Sequence, residues 1–280
     1  MKVVDIQAID VHAHYGRMIR GRDPVIDAWY SGDGGVVARR ARAANTQWTI
    51  VSPLLALMPR GEADAFAGNE EAAAVVGKTE GLLQWVVVNP LQESTYEQAE
   101  RMLQTGKCVG IKLHPEEHRY PIQAYGGKLF EFAAKHRAIV LTHSGEGYSM
   151  PEHFVPFLDE FAEVRLILAH IGCTCDADPT HQVRAVQLSR HGNIYADTSS
   201  AQSMSSGIIE YAVKEAGPEK VLYGTDTPLY SASAQRARID HAELADDQKR
   251  MILRDNAVKL FGFERTTGSD VSEDIVVAKK

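Results

Sequence analysis

The sequence reads Asp-Val-His-Ala-His at residues 10–14, and this stretch ends a largely apolar run that begins at Val4. Three other apolar runs end in the same way: Leu-Thr-His at 141–143, Leu-Ala-His at 168–170 and Gly-Thr-Asp at 224–226. An apolar run that stops on a histidine or an aspartate is typical of a buried strand whose last side chain emerges at the rim of a sheet. Several imidazoles and one carboxylate on a shared rim form a site for a divalent cation, so the pattern predicts a metal-dependent enzyme.

Strand-like runs alternate with segments of helical spacing along the whole chain. The eight runs lie at 4–14, 48–54, 83–89, 109–114, 138–143, 165–170, 193–197 and 220–226. The helical segments include 35–44, 96–103, 127–136, 154–161, 183–190 and 207–216, with a closing helix at 246–263. Alternation of this kind predicts a parallel sheet with right-handed crossovers. Eight units in one chain predict an α/β fold, a single-domain (β/α)8 TIM barrel, which takes about 250 residues.

The competing architecture is an open doubly wound sheet, which normally carries a glycine-rich turn after its first strand. Residues 12–16 read His-Ala-His-Tyr-Gly at that place, so the barrel is favoured. We expect the metal-dependent barrel domain to span residues 1–264. Residues 265–280 are polar apart from a short apolar patch, and we expect a mobile tail there.

The composition is that of a soluble globular protein, with 44% hydrophobic and 24% charged residues. A net charge of -7 argues against partners such as nucleic acid or an anionic membrane, because both favour basic patches. No apolar stretch is long enough to span a bilayer, and we expect no signal peptide. Three cysteines (Cys108, Cys173 and Cys175) suit a reducing compartment, so we expect a cytoplasmic protein.

Side-chain alternation places the histidines of the first strand. Residues two apart on a strand face the same way, so His12 and His14 both point into the barrel, while Val11 and Ala13 face the helices. By the same rule Leu168 lies beneath the histidine that ends its strand. The C-terminal ends of barrel strands carry the chemistry, and closure of the barrel puts strand 8 beside strand 1.

A single histidine at a strand end is more often a hydrogen-bonded core residue than a metal ligand. Two imidazoles buried side by side are costly without a shared cation, so His12 and His14 favour a metal. His143, His170 and Asp226 at matching strand ends strengthen that interpretation. The set fits zinc, and also manganese or iron(II). Such a cation lowers the pKa of a bound water to about 7, or it polarises a substrate carbonyl.

Two more polar residues point inward on the fourth strand, where residues 110–115 read Gly-Ile-Lys-Leu-His-Pro. Lys112 has three open interpretations: an anchor for a substrate carboxylate, a carboxylated bridge to a second metal ion, or an ion-paired structural residue. His114 is predicted to contact the substrate. Arg17 lies in the loop after the first strand with Arg20 and Arg22, and this basic group is either a docking site for an anionic substrate or ordinary surface charge.

At these residues the chain resembles the amidohydrolase superfamily, in particular the amidohydrolase-related (amidohydrolase 2) group that includes aminocarboxymuconate-semialdehyde decarboxylase and related metal-dependent hydrolases. The resemblance covers nearly the whole chain and is specific for the superfamily rather than for one reaction. The matching stretches are 10–14, 110–115, 141–145, 168–172, 222–228 and 255–257.

The resemblance implies roles for individual residues. It implies His12, His14, His143 and Asp226 as metal ligands, with Asp226 also moving a proton. It implies that His170 either binds the metal or contacts the bound water. Lys112 stands where binuclear members carry a carboxylated lysine, and mononuclear members do without one. We therefore expect one divalent ion, zinc before manganese, with a second ion if Lys112 is carboxylated. Barrels of this superfamily are commonly dimers or larger, so a homo-oligomer is expected.

Three functions remain open at this stage. The first is hydrolysis of a small ester, lactone or amide bearing a carboxylate, in which metal-bound hydroxide attacks the carbonyl and Asp226 shuttles the proton. The second is non-oxidative decarboxylation or hydration of a small aromatic or unsaturated acid at the same strand ends. The third is a ligand-binding barrel without turnover, which the presence of Asp226 disfavours.

Overall fold

In the computed structural model, eight parallel strands form one barrel, which confirms the predicted (β/α)8 fold. The structure describes residues 2–20, 23–200, 202–265 and 275–277. Strands β1 to β8 are Ala8–Tyr15, Thr46–Pro53, Leu82–Val87, Cys108–Leu113, Ile139–Thr142, Arg165–Leu168, Ile194–Asp197 and Val221–Leu222. Each strand pairs in parallel with the next along the chain, in the order β1 to β8. This order brings the predicted site residues to one end of the barrel.

Twelve α-helices accompany the strands among the described residues. Helices α1 to α12 are Pro24–Trp29, Gly34–Ala43, Ala65–Lys78, Ser94–Met102, Pro115–His118, Ile122–Lys135, Val155–Glu160, His181–Leu188, Ile208–Ala216, Ala232–Asp240, Asp246–Arg250 and Asn256–Phe261. Several of these helices have a short polar residue at the N-cap position. Asp33 accepts a hydrogen bond from Val36 N, and Asp64 accepts one from Ala67 N, so a backbone N–H that the helix leaves unpaired is satisfied in each case.

The seam between β8 and β1 closes the barrel with backbone hydrogen bonds. Val11 N donates to Tyr223 O over 2.9 Å, and Asp226 N donates to His12 O over 2.8 Å. Strand β8 has only two residues, so the chain from Tyr223 to Asp226 runs along β1 as irregular backbone. The seam therefore holds Asp226 directly beside His12.

A buried aspartate reinforces the seam. The Oδ1 atom of Asp10 accepts from Thr225 N (3.0 Å) and from His12 N (3.1 Å), while its Oδ2 accepts from Thr225 Oγ1 (2.6 Å). Burial raises the pKa of Asp10 to about 8, although these hydrogen bonds pull it down. Asp10 contacts backbone and a hydroxyl group, and its role is to join β1 to the end of β8.

The expected alternation on β1 is wrong at Val11. This residue packs in the apolar cluster of the barrel interior with Ile9 and Trp85, and Trp85 Nε1 donates to Val11 O over 2.9 Å. Ala13 does pack on the helix side, as predicted. The register of β1 against β2 shifts between Asp10 and Ala13, and such a bulge lets two consecutive residues face the same side.

The expected position of Leu168 is also wrong, because it packs in the cluster that includes helix residues. Ile167 and Ala169 occupy the interior instead. His170 follows with φ +69°, in the left-handed region that residues with a Cβ rarely adopt, and this turn redirects its side chain. Asp226 has the same feature, with φ +58°. Backbone strain of this kind is concentrated at functional sites.

The predicted closing helix is two helices, α11 and α12, joined by a π turn at Met251–Asp255. The turn frees Ile252 O to accept from Tyr223 N over 3.0 Å, next to the seam. Strand β9 (Phe263–Arg265) pairs antiparallel with β10 (Ile275–Val277). The other residues of the predicted tail lie outside the described part of the chain. Among the described residues, no helix has the length and apolar character to cross a lipid bilayer.

Candidate active site

Five histidine rings stand next to one another at the C-terminal ends of strands β1, β4, β5 and β6. The ring centroids of His14 and His12 are 5.3 Å apart, and those of His12 and His170 are 4.8 Å apart. His143 follows at 5.1 Å from His170, and His114 stacks on His143 at 4.4 Å. The structure thus brings together every histidine that the strand-end motifs predicted.

His12, His14 and Asp226 form one compact buried group in which one ligand atom from each lies within 4.8 Å of the others. Asp226 Oδ1 is 3.1 Å from His14 Nε2 and 3.8 Å from His12 Nε2. No described residue forms a hydrogen bond of good geometry with this buried oxygen. These are three of the four metal ligands that the resemblance implied.

The other nitrogens of the two rings show which atoms face the group. His14 Nδ1 lies 3.2 Å from the carbonyl of Ser52 and 2.9 Å from its hydroxyl. His12 Nδ1 lies 2.9 Å from an oxygen of Asp197. Carbonyl and carboxylate oxygens only accept, and the contact between His14 Nε2 and Asp226 lacks hydrogen-bond geometry. Each Nδ1 therefore carries the hydrogen, and each Nε2 has a lone pair on the side of Asp226. Two lone pairs and a carboxylate oxygen that converge without a proton between them fit a cation.

The electrostatics of the group keep these ligands in the forms that bind metal. Burial and the Lys112 ammonium group lower the pKa of His12 to about 4, so its ring is neutral at pH 7. The charge of the nearby Lys112 ammonium group favours the ionised form of Asp226. Asp226 is therefore a carboxylate.

Lys112 lies at the bottom of the site, fully buried. Its Nζ is 2.8 Å from His12 Nε2, and burial lowers its pKa to about 8. An ammonium group can only donate, so it contacts the lone pair of His12 that a metal would also use. The charges of Asp226 and Asp197 favour the ammonium form of Lys112, although burial outweighs them.

His143 takes a different partner in the structure. Its Nε2 lies 2.8 Å from Glu146 Oε1. Two groups of described residues could hold a metal ion, His12 with His14 and Asp226 and His12 with His170 and Asp197, and His143 belongs to neither. The hydrogen bond to His143 lowers the pKa of Glu146, with help from the charges of Arg60 and Arg20. His143 as a fourth ligand stays a prediction, and Glu146 is the residue that competes for it.

The remaining predicted substrate contacts lie further out. His114 accepts at Nδ1 from Glu117 N (3.3 Å) and presents its ring face to His143. Arg17 and Arg20 are exposed in the loop after β1, and Arg20 lies close enough to influence the pKa of Tyr230 as well as that of Glu146. Arg22 lies outside the described residues.

The sequence reasoning missed Asp197 and Ser199. Asp197 is fully buried at the end of β7, and it contacts both His12 Nδ1 and the backbone nitrogen of His170. Ser199 Oγ lies 2.7 Å from His170 Nδ1. The signal for Asp197 was available, since its strand ends on a carboxylate just as the neighbouring strands end on histidines.

Comparison with known proteins identifies the family and the fold of the chain. Residues 9–263 match the sequence model of a family described as amidohydrolase. No curated protein matches the chain. Among solved structures, 5-carboxyvanillate decarboxylase from Sphingomonas paucimobilis superposes with a TM-score of 0.68 at 14% identity, covering 92% of this chain and 99% of the other.

Two further solved structures share the fold. The 2,6-dihydroxybenzoate decarboxylase from Rhizobium has a TM-score of 0.70 at 13% identity, with 94% of this chain and 99% of the other covered. A dihydroxybenzoic acid decarboxylase from Polaromonas, with bound manganese and the inhibitor 2-nitroresorcinol, has a TM-score of 0.69 at 15% identity, with 94% and 97% covered.

Proposed function

The chain belongs to the amidohydrolase family, and from that premise we propose that it is a metal-dependent, non-oxidative decarboxylase of a small aromatic or unsaturated acid with a hydroxyl group next to the carboxylate. The observation that carries the metal dependence is the buried group of His12, His14 and Asp226, whose lone pairs and unpaired oxygen converge. The three solved structures named above are decarboxylases of aromatic acids, one with manganese, and this supports decarboxylation and a divalent ion.

Hydrolysis was the reaction that the sequence led us to expect first, and it receives less support. The same strand ends serve both reactions, so the choice rests on the comparisons. Zinc was the expected ion, and the manganese in the Polaromonas structure makes manganese an equal candidate. Both ions accept two imidazoles and a carboxylate.

The site residues would bind the ion or stabilise charge on the substrate. His12, His14 and Asp226 would hold the ion, and His143 would be a fourth ligand once free of Glu146. A divalent cation held there would supply Lewis-acid chemistry to a bound acid. Lys112 lies beside it and stabilises negative charge on the substrate.

Asp226 moves the proton. As a carboxylate it accepts the proton of the substrate hydroxyl when the acid binds. The bond between the ring carbon and the carboxylate then breaks, carbon dioxide leaves, and the electron pair stays on that carbon. Asp226 returns its proton to this carbon, which balances the reaction without any oxidant or reductant.

The experiment that tests this function uses a panel of hydroxybenzoates and small lactones with manganese- or zinc-loaded enzyme. Decarboxylation releases carbon dioxide and places solvent deuterium on the product carbon in D₂O. Hydrolysis places solvent ¹⁸O in the product and releases no carbon dioxide. The second result would replace the proposed reaction with hydrolysis, and turnover of neither class would reject both.

A further inference from the structure

We propose that Asp197, acting with Ser199, sets the tautomer of His12 and His170 together, so that both rings present an Nε2 lone pair to the site. Asp197 is then a positioning residue for a metal ligand and for the neighbouring ring. The catalytic consequence of this inference rests on the proposed function. Its test does not, because the tautomers can be measured in the protein without substrate.

The first half of the argument concerns His12. Asp197 Oδ2 lies 2.9 Å from His12 Nδ1, and a carboxylate oxygen can only accept there. On the other side of the ring, Lys112 Nζ lies 2.8 Å from Nε2 and can only donate as an ammonium group. Two independent contacts therefore select the same tautomer, with hydrogen on Nδ1 and a lone pair on Nε2.

The second half concerns His170, which Asp197 reaches through Ser199. Ser199 Oγ makes a short hydrogen bond to Asp197 Oδ1, and this uses its only hydrogen. The same oxygen lies 2.7 Å from His170 Nδ1, so it must accept there. His170 consequently carries its hydrogen on Nδ1 as well.

Backbone contacts hold the carboxylate in place. Asp197 Oδ1 also accepts from His170 N and from Ser199 N, both over 3.0 Å. The first of these contacts fixes the residue whose φ is +69°. Burial raises the pKa of Asp197, but His12 and His170 outweigh this and keep it far below its usual range, so it is an acceptor throughout.

The consequence is a division of roles between the two site residues that can carry a proton. With hydrogen on Nδ1, His170 can accept at Nε2 but has no proton to donate toward a substrate. Burial also lowers its pKa well below the usual range, which disfavours the doubly protonated form. Protonation of the substrate carbon is thereby assigned to Asp226, and His170 accepts a hydrogen bond.

The test is ¹⁵N NMR of the imidazole nitrogens in the metal-free full-length chain, with His12 and His170 assigned by single substitutions. We expect both rings to be neutral at pH 7 with hydrogen on Nδ1. Asp197→Asn keeps an oxygen for the backbone donors and turns its amide toward His12, which donates where Asp197 accepted. Because Lys112 still donates to Nε2 in this variant, we combine it with Lys112→Met and expect the His12 hydrogen to move to Nε2 in the double variant. Manganese affinity of the single variant should fall about 10- to 100-fold.

Ser199→Ala separates the two halves. Ser199 Oγ lies 2.7 Å from His170 Nδ1 and 3.1 Å from His12 Nδ1. The variant should therefore change the His170 signals, while Asp197 still keeps the His12 hydrogen on Nδ1 and manganese affinity changes by less than about 3-fold. Asp10→Asn is the matched control, because it makes the same substitution at another buried aspartate on the same seam, one whose side chain contacts no imidazole ring. It should leave both tautomers unchanged.

The outcomes that overturn the proposal are specific. A folded Asp197→Asn, Lys112→Met protein whose His12 keeps hydrogen on Nδ1 would contradict it, and so would equal spectral changes in Asp10→Asn. If Asp197→Asn does not fold, Ser199→Ala decides the His170 half, and unchanged His170 signals reject it. Failure of the proposed reaction would show instead as absent turnover with the tautomers as expected.

Discussion

His14 Nε2 and Asp226 Oδ1 lie 3.1 Å apart at the seam of the barrel, and the hydrogen of the His14 ring is on the far side, toward Ser52. Two acceptors at that distance repel each other unless a positive charge lies beside them. The seam hydrogen bond from Asp226 N to His12 O holds them there. The folded barrel therefore holds two acceptor atoms close together, and a cation beside them would offset their repulsion.

His12→Ala should lose bound metal and activity together, because it removes one of three converging ligands. We expect metal content measured by mass spectrometry to fall from about one equivalent to below about 0.1. His118→Ala is a suitable control, since His118 is equally buried but donates from Nε2 to Ala56 O, outside the cation-binding group. Retention of a full equivalent of metal by His12→Ala would contradict the ligand assignment.

Asp226→Asn should lose activity more completely than metal. The amide oxygen still ligates weakly, but an amide cannot accept and return a proton at neutral pH. We expect kcat to fall by about 10²- to 10⁴-fold, the usual contribution of general acid–base catalysis. Steady-state kinetics at saturating manganese would measure it, and a rate near that of the wild type would remove Asp226 from proton transfer.

Glu146→Ala should increase metal affinity, because it removes the partner that holds His143 Nε2. One hydrogen bond is worth about 0.5–1.5 kcal/mol net, so we expect an increase of about 3- to 10-fold, measured by competition with a chelator. The gain should disappear in the Glu146→Ala, His143→Ala double variant. A gain that survives in the double variant would show that His143 is not a ligand.

The free energy of unfolding should depend on pH through His181, which lies outside the metal group and contacts two carboxylates. Burial lowers the pKa of His181, but hydrogen bonds to Glu152 and Asp176 outweigh it, and the pKa is raised overall. A raised folded-state pKa means that this contribution is fully present below the unfolded-state value and is lost as the pH rises through the folded-state value.

The size of the His181 contribution is limited by exposure of its partners, with 30% of the Glu152 side chain and 50% of the Asp176 side chain accessible. We therefore expect about 1 kcal/mol or less. Urea unfolding of wild type and Glu152→Gln at pH values from acid to alkaline would measure it. The difference should shrink as the pH rises, and a constant difference would show that His181 does not titrate with folding.

Much of this site was predictable from residue order. The strand-end motifs correctly placed His12, His14, His170 and Asp226 on one rim, since alternating units in a parallel barrel bring all strand ends to the same face. The role of Asp197 was not predicted. Its partner His12 is 185 positions away, and the sequence does not show which side chain a carboxylate at the end of a strand contacts.

The sequence by itself determined the eight strand–helix units, the membership of the amidohydrolase family and the residue types at the strand ends, because periodicity and chain order carry that information. Only the tertiary structure decided which atoms face each other. The bulge in β1, the positive φ angles of His170 and Asp226, and the Asp197 contacts each break simple alternation. They depend on packing between distant strands, and a local pattern contains no information about such packing.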